Sequence, residues 1–143
     1  MSVTETGKHR VTHSDVMAGI EDLMGSEKAD VIWTDPPWGE GNLKYWQTMN
    51  AKMTGAEKKP VENDGFLRQV FCLVAKYAKG PVVVEYGVGW AEKVVKMAEE
   101  SGLVHYHTTD VKYQSGSRLL PCHSHLFGKP GLVVPSGYVS GLE

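Results

Sequence analysis

A short apolar run that ends in an acid and two prolines is the feature that most constrains this chain. Residues 31–39 read Val-Ile-Trp-Thr-Asp-Pro-Pro-Trp-Gly. The apolar residues predict a buried strand, and the prolines predict its end, because proline has no amide hydrogen to donate to a neighbouring strand. The acid and the following indole are therefore expected on a stiff turn at the mouth of a strand, with the proline carbonyls facing outward.

Such a turn suits a reaction at a planar exocyclic amino group. The lone pair of that amine is delocalised into its ring, and two acceptors that hold both N–H groups could aim the lone pair at an electrophile. Asp35 and the carbonyl of Pro36 would be the acceptors, and Pro37 would stiffen the turn. Trp38 would stack on an extruded base, an interaction worth roughly 1–3 kcal/mol. The alternative is an ordinary turn, since Asp followed by Pro is common there.

The Asp35-Pro36-Pro37-Trp38 motif resembles the catalytic motif of the S-adenosylmethionine-dependent amino-methyltransferases, which act on adenine N6 or cytosine N4. Residues 11–15, 16–23 and 29–38 are similar in order to the strand, acidic residue, short helix and catalytic strand of those enzymes. The resemblance implies S-adenosylmethionine as cofactor, DNA or RNA as partner, and a contact from Asp15 to the cofactor adenine. It covers roughly residues 11–130 in order of elements, and only the four-residue motif is specific.

Composition predicts one globular domain within residues 11–130, with a flexible tail at 1–10 and a second tail at 131–143. Of the 143 residues, 41% are hydrophobic and 22% are charged, and no apolar run approaches the length of a membrane span. The N-terminus lacks the apolar segment of a secretion signal, and Cys72 and Cys122 fit a reducing compartment. We therefore expect a cytoplasmic protein.

The net charge restricts how the chain could bind nucleic acid. A formal charge of −2 gives no global basic surplus, so a nucleic-acid surface would have to be local. Residues 39–60 form a long polar segment that we predict to be a substrate loop, with Lys44, Tyr45 and Trp46 as substrate-binding residues. The alternative is a solvated loop with two buried rings.

Apolar spacing and turn residues predict an alternating order of helices and strands. The predicted helices cover residues 15–23 (opened by a Ser14 cap), 63 or 64 to 79, and 90–101, and the predicted strands cover 29–34, 81–86, 103–113 and 119–127. This order predicts an α/β fold with a mainly parallel sheet, flanking helices and an antiparallel edge hairpin. It again resembles the methyltransferase (Rossmann-like) fold, either whole or as its catalytic half alone.

The cofactor loop leaves two interpretations open. The resembled family has a Phe-x-Gly-x-Gly loop, and the nearest string here is Glu85-Tyr86-Gly87-Val88-Gly89, with Asp110 twenty-one residues beyond Gly89. In the first interpretation Glu85 and Gly87 bind the cofactor in a permuted enzyme. In the second, residues 82–89 form the strand beside the catalytic one and the cofactor half is missing. Spacing favours the second, which implies a homo-oligomer, a partner subunit that completes the pocket, or lost activity.

A metal site is the alternative from another class of function. Two His-x-His pairs, His105 with His107 and His123 with His125, lie in the predicted strands, and Cys122 is adjacent. If each pair pointed to one face and the strands were neighbours, the imidazoles could bind zinc or iron. The spacing alone does not establish such a site, since His-x-His is common on solvated strands.

Together these features predict methyl transfer from S-adenosylmethionine to an exocyclic amino group of a nucleobase, with adenine N6 in DNA as the first choice. A catalytically degenerate subunit that binds cofactor or nucleic acid in a larger assembly is the alternative. The predicted chemistry is a direct displacement that requires no metal.

Overall fold

The computed structural model of the chain describes residues 3–55, 57 and 62–134. Its helices are α1 (Val16–Met24), α2 (Gly39–Thr54), α3 (Asn63–Tyr77) and α4 (Ala91–Glu100), and its strands are β1 (Val3–Thr6), β2 (His9–Thr12), β3 (Ile32–Thr34), β4 (Val82–Tyr86), β5 (Val104–Ser115) and β6 (Arg118–Gly128). A short 3-10 turn, Val88–Trp90, connects β4 to α4.

The main sheet has four strands in the order β3-β4-β6-β5. β3 pairs with β4 in parallel, whereas β4 with β6 and β6 with β5 are antiparallel. The α/β class and the closing hairpin are confirmed. The mainly parallel sheet is not observed, because a two-residue turn after Ser115 returns the chain at once and inserts β6 beside β4.

The core lies on one face of this sheet, under α3 and α4. Alternate residues of β4 point to that face, as the two-residue period of a strand requires. They pack with apolar residues from both helices and from β6, namely Leu67, Phe71, Val74, Val82, Val84, Tyr86, Val94, Met97, Ala98 and Phe127. The end of β4 at Tyr86 is therefore anchored in the most buried part of the molecule, and the residues around it are held rigidly.

The N-terminal residues form a hairpin where we predicted a flexible tail. β1 and β2 pair antiparallel from Val3 with Thr12 to Thr6 with His9, and Gly7 takes the positive φ of 58° needed at the turn. Arg10 ties the hairpin to α1 by donating to the Leu23 carbonyl. The prediction of a tail is thus wrong for residues 3–10. Residues 1 and 2, and 135–143 of the predicted C-terminal tail, lie outside the described residues.

The predicted substrate loop is mostly a helix. Residues 39–54 form α2, and the remainder of the predicted loop up to Pro60 lies largely outside the described residues. Good helix formers at Leu43, Gln47 and Ala51 outweigh the polar composition that suggested a loop. Gly55, at φ 72°, ends the helix in the left-handed conformation.

The helix caps also differ from the predicted ones. Asp15, and not Ser14, caps α1: its Oδ1 accepts a hydrogen bond of 2.8 Å from the Met17 amide. Glu62, one residue before the predicted cap, caps α3 by accepting from the Gly65 amide at 2.7 Å. Within the described ranges, none of the helices has both the length and the apolar character needed to cross a membrane.

Candidate active site

The motif that follows β3 lines an open cleft of about 630 Å³. Thr34 pairs with Val84, so the next residues on the two parallel strands, Asp35 and Glu85, emerge side by side. The cleft brings together six predicted site residues, Asp35, Pro36, Pro37, Trp38, Trp46 and Glu85. Its size falls within the range of about 300–1,000 Å³ found for small-molecule sites, and the protein's own side chains do not fill it.

Asp35 is held by the indole of its own motif. Trp38 Nε1 donates to Asp35 Oδ1 at 2.9 Å, and the Trp38 amide donates to Asn42 Oδ1 at 3.1 Å. The next amide, that of Gly39, donates to the buried hydroxyl of Tyr86 at 2.8 Å. This network ties the turn after β3 to the start of α2 and to the end of β4, which fixes the direction of the carboxylate.

Trp38 is itself packed between other rings. Its ring meets that of Tyr113 edge to face, with centroids 5.8 Å apart. On another side it lies against Gly87, where an added Cβ would be 3.4 Å from Trp38 Cε3 and 2.6 Å from Trp90 Cζ3. Gly87 therefore makes room for the protein's own indoles, and this side of the glycine offers no approach to the cofactor for which we predicted it.

Glu85, also predicted to bind the cofactor, belongs to the same cleft as Asp35. Its Oε1 accepts a hydrogen bond of 2.8 Å from Trp33 Nε1. Each of the two carboxylates thus has one oxygen bound by an indole N–H. Neither takes part in any ion pair among the residues that the structure describes.

Five further residues line the cleft and were missed by sequence reasoning: Asn42, Val111, Lys112, Tyr113 and Cys122. Four of them come from the hairpin of β5 and β6, far from the motif in sequence. No local pattern marks them, because only the pairing of β6 with β4 brings the hairpin beside Glu85. The aromatic residues in that part of the predicted β5 strand were the one available hint.

The thiol of Cys122 is unreactive in this setting. Burial first, and then the nearby charges of Glu85 and Asp35, raise the pKa of Cys122 to about 11. Cysteine reacts as the thiolate, so at neutral pH this side chain is not a nucleophile. The cleft therefore suits chemistry that forms no covalent intermediate with the protein and that is directed by its two carboxylates.

Asp15 lies in a neighbouring groove of about 870 Å³, lined also by Asn50, Glu62 and Gln69. Trp46 borders both this groove and the Asp35 cleft. One oxygen of Asp15 is used in the α1 cap, as described above. Asp15 and Asp35 are thus brought to adjoining surfaces that share the indole of Trp46.

The other predicted substrate-binding residues lie on the exposed side of α2. Lys44 forms an ion pair with Glu40 one helical turn earlier. Tyr45 and Trp46 are 55% and 56% exposed, so the alternative of two buried rings is wrong. Their rings meet edge to face with centroids 5.3 Å apart. The helix presents an aromatic pair to solvent, and Trp46 of this pair borders both clefts.

The histidines do not form the ligand set of the metal alternative. A register shift between His105 and His107 turns the second imidazole to the opposite face of β5 from the first. The Thr108 hydroxyl oxygen lies 2.7 Å from His105 Nε2 and 2.9 Å from His125 Nδ1, so this hydroxyl links the two imidazoles. The described part of the chain contains no group of three or more histidine, cysteine or acidic side chains that could hold a metal ion.

Comparison with solved structures identifies the fold. No family model and no curated protein sequence matches the chain. M1.HpyAVI superposes on 85% of this chain with a TM-score of 0.55 at 18% sequence identity. The M1.HpyAVI-SAM complex superposes on 90% with a TM-score of 0.54 at 15% identity. The chain has a methyltransferase-type fold. It spans 55% and 61% of the two matched chains, somewhat more than half of their length.

Within this methyltransferase-type domain, the position of β4 bears on the two interpretations of residues 82–89. β4 lies between β3 and the closing hairpin, and the 3-10 turn after it packs Trp90 onto Gly87. This arrangement favours the second interpretation, in which the segment is the strand beside the catalytic one.

Proposed function

We propose that this domain takes part in methyl transfer from S-adenosylmethionine to the exocyclic amino group of a nucleobase, with adenine N6 in DNA as the first choice. The observation that carries the proposal is the open cleft at the end of β3, where an indole-bound carboxylate faces a space of about 630 Å³. The methyltransferase-type fold, shared with M1.HpyAVI, supports it.

The chain's own residues would bind and orient the base. Asp35 and the Pro36 carbonyl accept the amine hydrogens, and Pro37 keeps the turn stiff. Trp38, whose indole is committed to Asp35, sets the direction of that carboxylate. Trp46 and Tyr113, which are 56% and 40% exposed, line the cleft and are the better placed rings for stacking on an extruded base.

The nucleic-acid contact would be local, as the net charge requires. Lys112 lines the cleft beside Tyr113, and Lys44 and Tyr45 lie on the exposed side of α2 near Trp46. A lysine beside exposed rings provides both a charge for the phosphate backbone and surfaces for unstacked bases. The overall charge of −2 gives no additional attraction, so we propose binding that depends on the base pocket.

The residues of the Asp15 groove fit the adenosyl part of the cofactor. The groove has the volume for it, and it offers a carboxylate together with the side-chain amides of Asn50 and Gln69 for ring nitrogens and ribose hydroxyls. When bound, S-adenosylmethionine supplies a methyl group on a positively charged sulfur, which is the electrophile. Gly87 does not fit the role predicted for it, because Trp90 and Trp38 cover it.

This domain spans only part of the length of the matched chains, and this bears on how the cofactor would be bound. The domain covers 55–61% of their length, and Gly87, the first glycine of the string nearest to a cofactor loop, lies against Trp90 and Trp38. We propose that a second copy or a partner subunit completes the cofactor pocket. A degenerate subunit that only binds cofactor or nucleic acid is the second candidate, favoured by the use of Asp15 as a helix cap.

The proposal is tested by calorimetric titration with S-adenosylmethionine and by radiolabel transfer to unmethylated DNA. Asp35→Asn removes the charge with little change of shape and is expected to lower transfer at least about a hundredfold. Asp22→Asn, on the exposed side of α1, is the matched control and should leave transfer unchanged. Binding with Asp35-dependent transfer supports the enzyme, and binding without transfer supports the degenerate subunit. The absence of both overturns methyl transfer by this chain and indicates that the cofactor half is missing.

A further inference from the structure

We propose that Glu85 is a second amine-binding residue, which acts with Asp35 as a pair of acceptors for the two hydrogens of one exocyclic amino group. The inference deepens the proposed function and rests on it. It replaces the cofactor role predicted for Glu85, and it gives Glu85 the place of the Pro36 carbonyl as the second acceptor. The pair makes the cleft selective for an amino group over a carbonyl at the same ring position.

Strand register brings the two carboxylates together. Trp33 pairs with Val83 and Thr34 with Val84 in the parallel ladder of β3 and β4. Side chains alternate along a strand, so Asp35 and Glu85, one step further, emerge on the same side. Both line the same cleft, and the charges of both raise the pKa of the buried Cys122 thiol at its wall. The pair is thus a consequence of the β3–β4 register and not of loop conformation.

Two indoles fix the direction of the pair. Trp33 Nε1 donates to Glu85 Oε1 at 2.8 Å, and Trp38 Nε1 donates to Asp35 Oδ1 at 2.9 Å. For the residues described, each carboxylate keeps its second oxygen outside any hydrogen bond or ion pair. An amino group has two N–H donors in one plane, and two oriented oxygens match them. A ring carbonyl has only lone pairs and would be repelled.

Two neighbouring carboxylates also favour the charge that develops during transfer. The amine nitrogen forms a bond to the methyl carbon as the carbon–sulfur bond breaks, and that electron pair leaves with sulfur, which becomes neutral. The nitrogen then carries the positive charge until it gives one proton to a carboxylate, and the proton passes on to water. Acceptors fixed before the reaction stabilise this nitrogen without reorganisation. Without such a ligand, the two like charges side by side repel each other.

The test reads the indole N–H signals of Trp33 and Trp38 by ¹⁵N NMR while nucleosides are added to the full chain. Adenosine is compared with purine riboside, the same ring system without the amino group, and with inosine, which has a carbonyl in its place. We expect adenosine to shift both indole signals. The other two nucleosides should bind at least about tenfold more weakly, because they cannot donate hydrogen bonds from this ring position to the charged carboxylates.

Glu85→Gln keeps the shape and still accepts from Trp33, and it is expected to remove the preference for adenosine over inosine. Glu92→Gln, an exposed residue of α4 outside the cleft, is the matched control. The shift of the Trp38 indole signal on adding adenosine is the second readout, and it should become smaller in Glu85→Gln. A Glu85 that served only to hold Trp33 would not affect the Trp38 signal.

The outcomes separate the two proposals. If Glu85→Gln keeps the wild-type preference for adenosine while Asp35→Asn loses it, the role of Glu85 is overturned and the proposed function stands. If adenosine shifts neither indole signal, or if neither variant changes its binding, both proposals are overturned. Loss of the preference in each variant supports the pair.

Discussion

Trp38 has a different role in the structure from the one that the sequence predicts. The motif predicts an aromatic surface for a base, yet the indole N–H of Trp38 is bound to the carboxylate three residues earlier, and the ring lies against Gly87 and Tyr113. Its half-buried ring orients the acid. The exposed rings that line the cleft are those of Trp46 and Tyr113, which the motif does not contain.

Individual buried groups also determine how the molecule responds to pH. His125 is fully buried, and its pKa falls from 6.5 to about 4 because of burial first, and then because of the neighbouring His123 and His105. The unfolded chain therefore binds a proton more readily than the folded one between these two values. The stabilisation from a neutral His125 is fully present above pH 6.5 and is lost as the pH falls towards 4.

The first prediction concerns this histidine. Between pH 7 and pH 4 the free energy of unfolding should fall by about 3 kcal/mol because of His125 alone, in addition to the effect of the carboxylates. His125→Phe should reduce the pH dependence by that amount, even if it changes the stability at pH 7. Urea denaturation followed by circular dichroism at several pH values measures it, and exposed His13→Gln is the control. Equal slopes for His125→Phe and wild type would contradict the prediction.

At the level of elements, α2 is where sequence reasoning failed most. The segment after the motif contains glycines, lysines and a high polar content, and we predicted a loop. Local helix formers favour the helix, and a contact that is not local fixes its start: the Gly39 amide donates to the Tyr86 hydroxyl on β4, which also accepts from Asn63 of α3 at 3.3 Å. By contrast, α3 and α4 have apolar residues at helical spacing, and both were predicted nearly to their ends.

Two glycines of α2 give a prediction at this level. Gly39 has a φ of 74°, and an added Cβ would lie 2.9 Å from Trp90 Cζ2, so Gly39→Ala should destabilise the domain by more than about 1 kcal/mol. Gly41 has an ordinary φ and open space around it, so Gly41→Ala should stabilise the helix by about 0.5–1 kcal/mol. Thermal unfolding of the two variants measures both effects. If both variants change the stability in the same direction, the prediction for the start of α2 is wrong.

The hairpin of β5 and β6 shows the opposite case, in which local sequence was sufficient. Alternating residues on either side of a short turn predicted both strands, and Gly116 takes the positive φ of 62° that the turn requires. What the sequence did not contain was the register shift between His105 and His107, which separates the imidazoles of the metal hypothesis. A one-residue shift reverses the face of a side chain, and pairing with β6 decides where it occurs.

For the molecule as a whole, the open edge of β3 is the most distinctive surface. Among the strands that the structure describes, β3 pairs with β4 alone, and its neighbourhood exposes Val31 and Trp33 at 57% and 54%. A mostly apolar cleft of about 380 Å³ lies beside it, lined in part by Ile20 of α1 and Val70 of α3. The far edge, on β5, is interrupted by a register shift and carries Lys112. Irregular pairing and charged side chains protect the edge of a sheet from pairing with another chain, and the edge at β3 has less of both.

The difference between the β3 and β5 edges of the sheet gives a prediction for the whole molecule. Val31→Lys places a charge at the edge of β3 and is expected to reduce concentration-dependent association without changing the fold. Leu119→Lys, which changes an apolar residue of 68% exposure on the hairpin, is the matched control and should have a smaller effect. Sedimentation velocity at several concentrations measures association, and far-ultraviolet circular dichroism checks the fold. If the two variants behave alike, the β3 edge has no special role. That a further subunit completes the cofactor pocket remains a prediction.

The sequence by itself determined the α/β class, the order of most elements and the position of Asp35 at the end of a strand, because short-range spacing and proline chemistry govern these features. Tertiary structure alone decided that Glu85 stands beside Asp35 and that Tyr113 reaches the cleft. Such contacts depend on which strands pair and in what register. Residues fifty or more positions apart become neighbours only when the sheet forms, and no local pattern of residues encodes that distance.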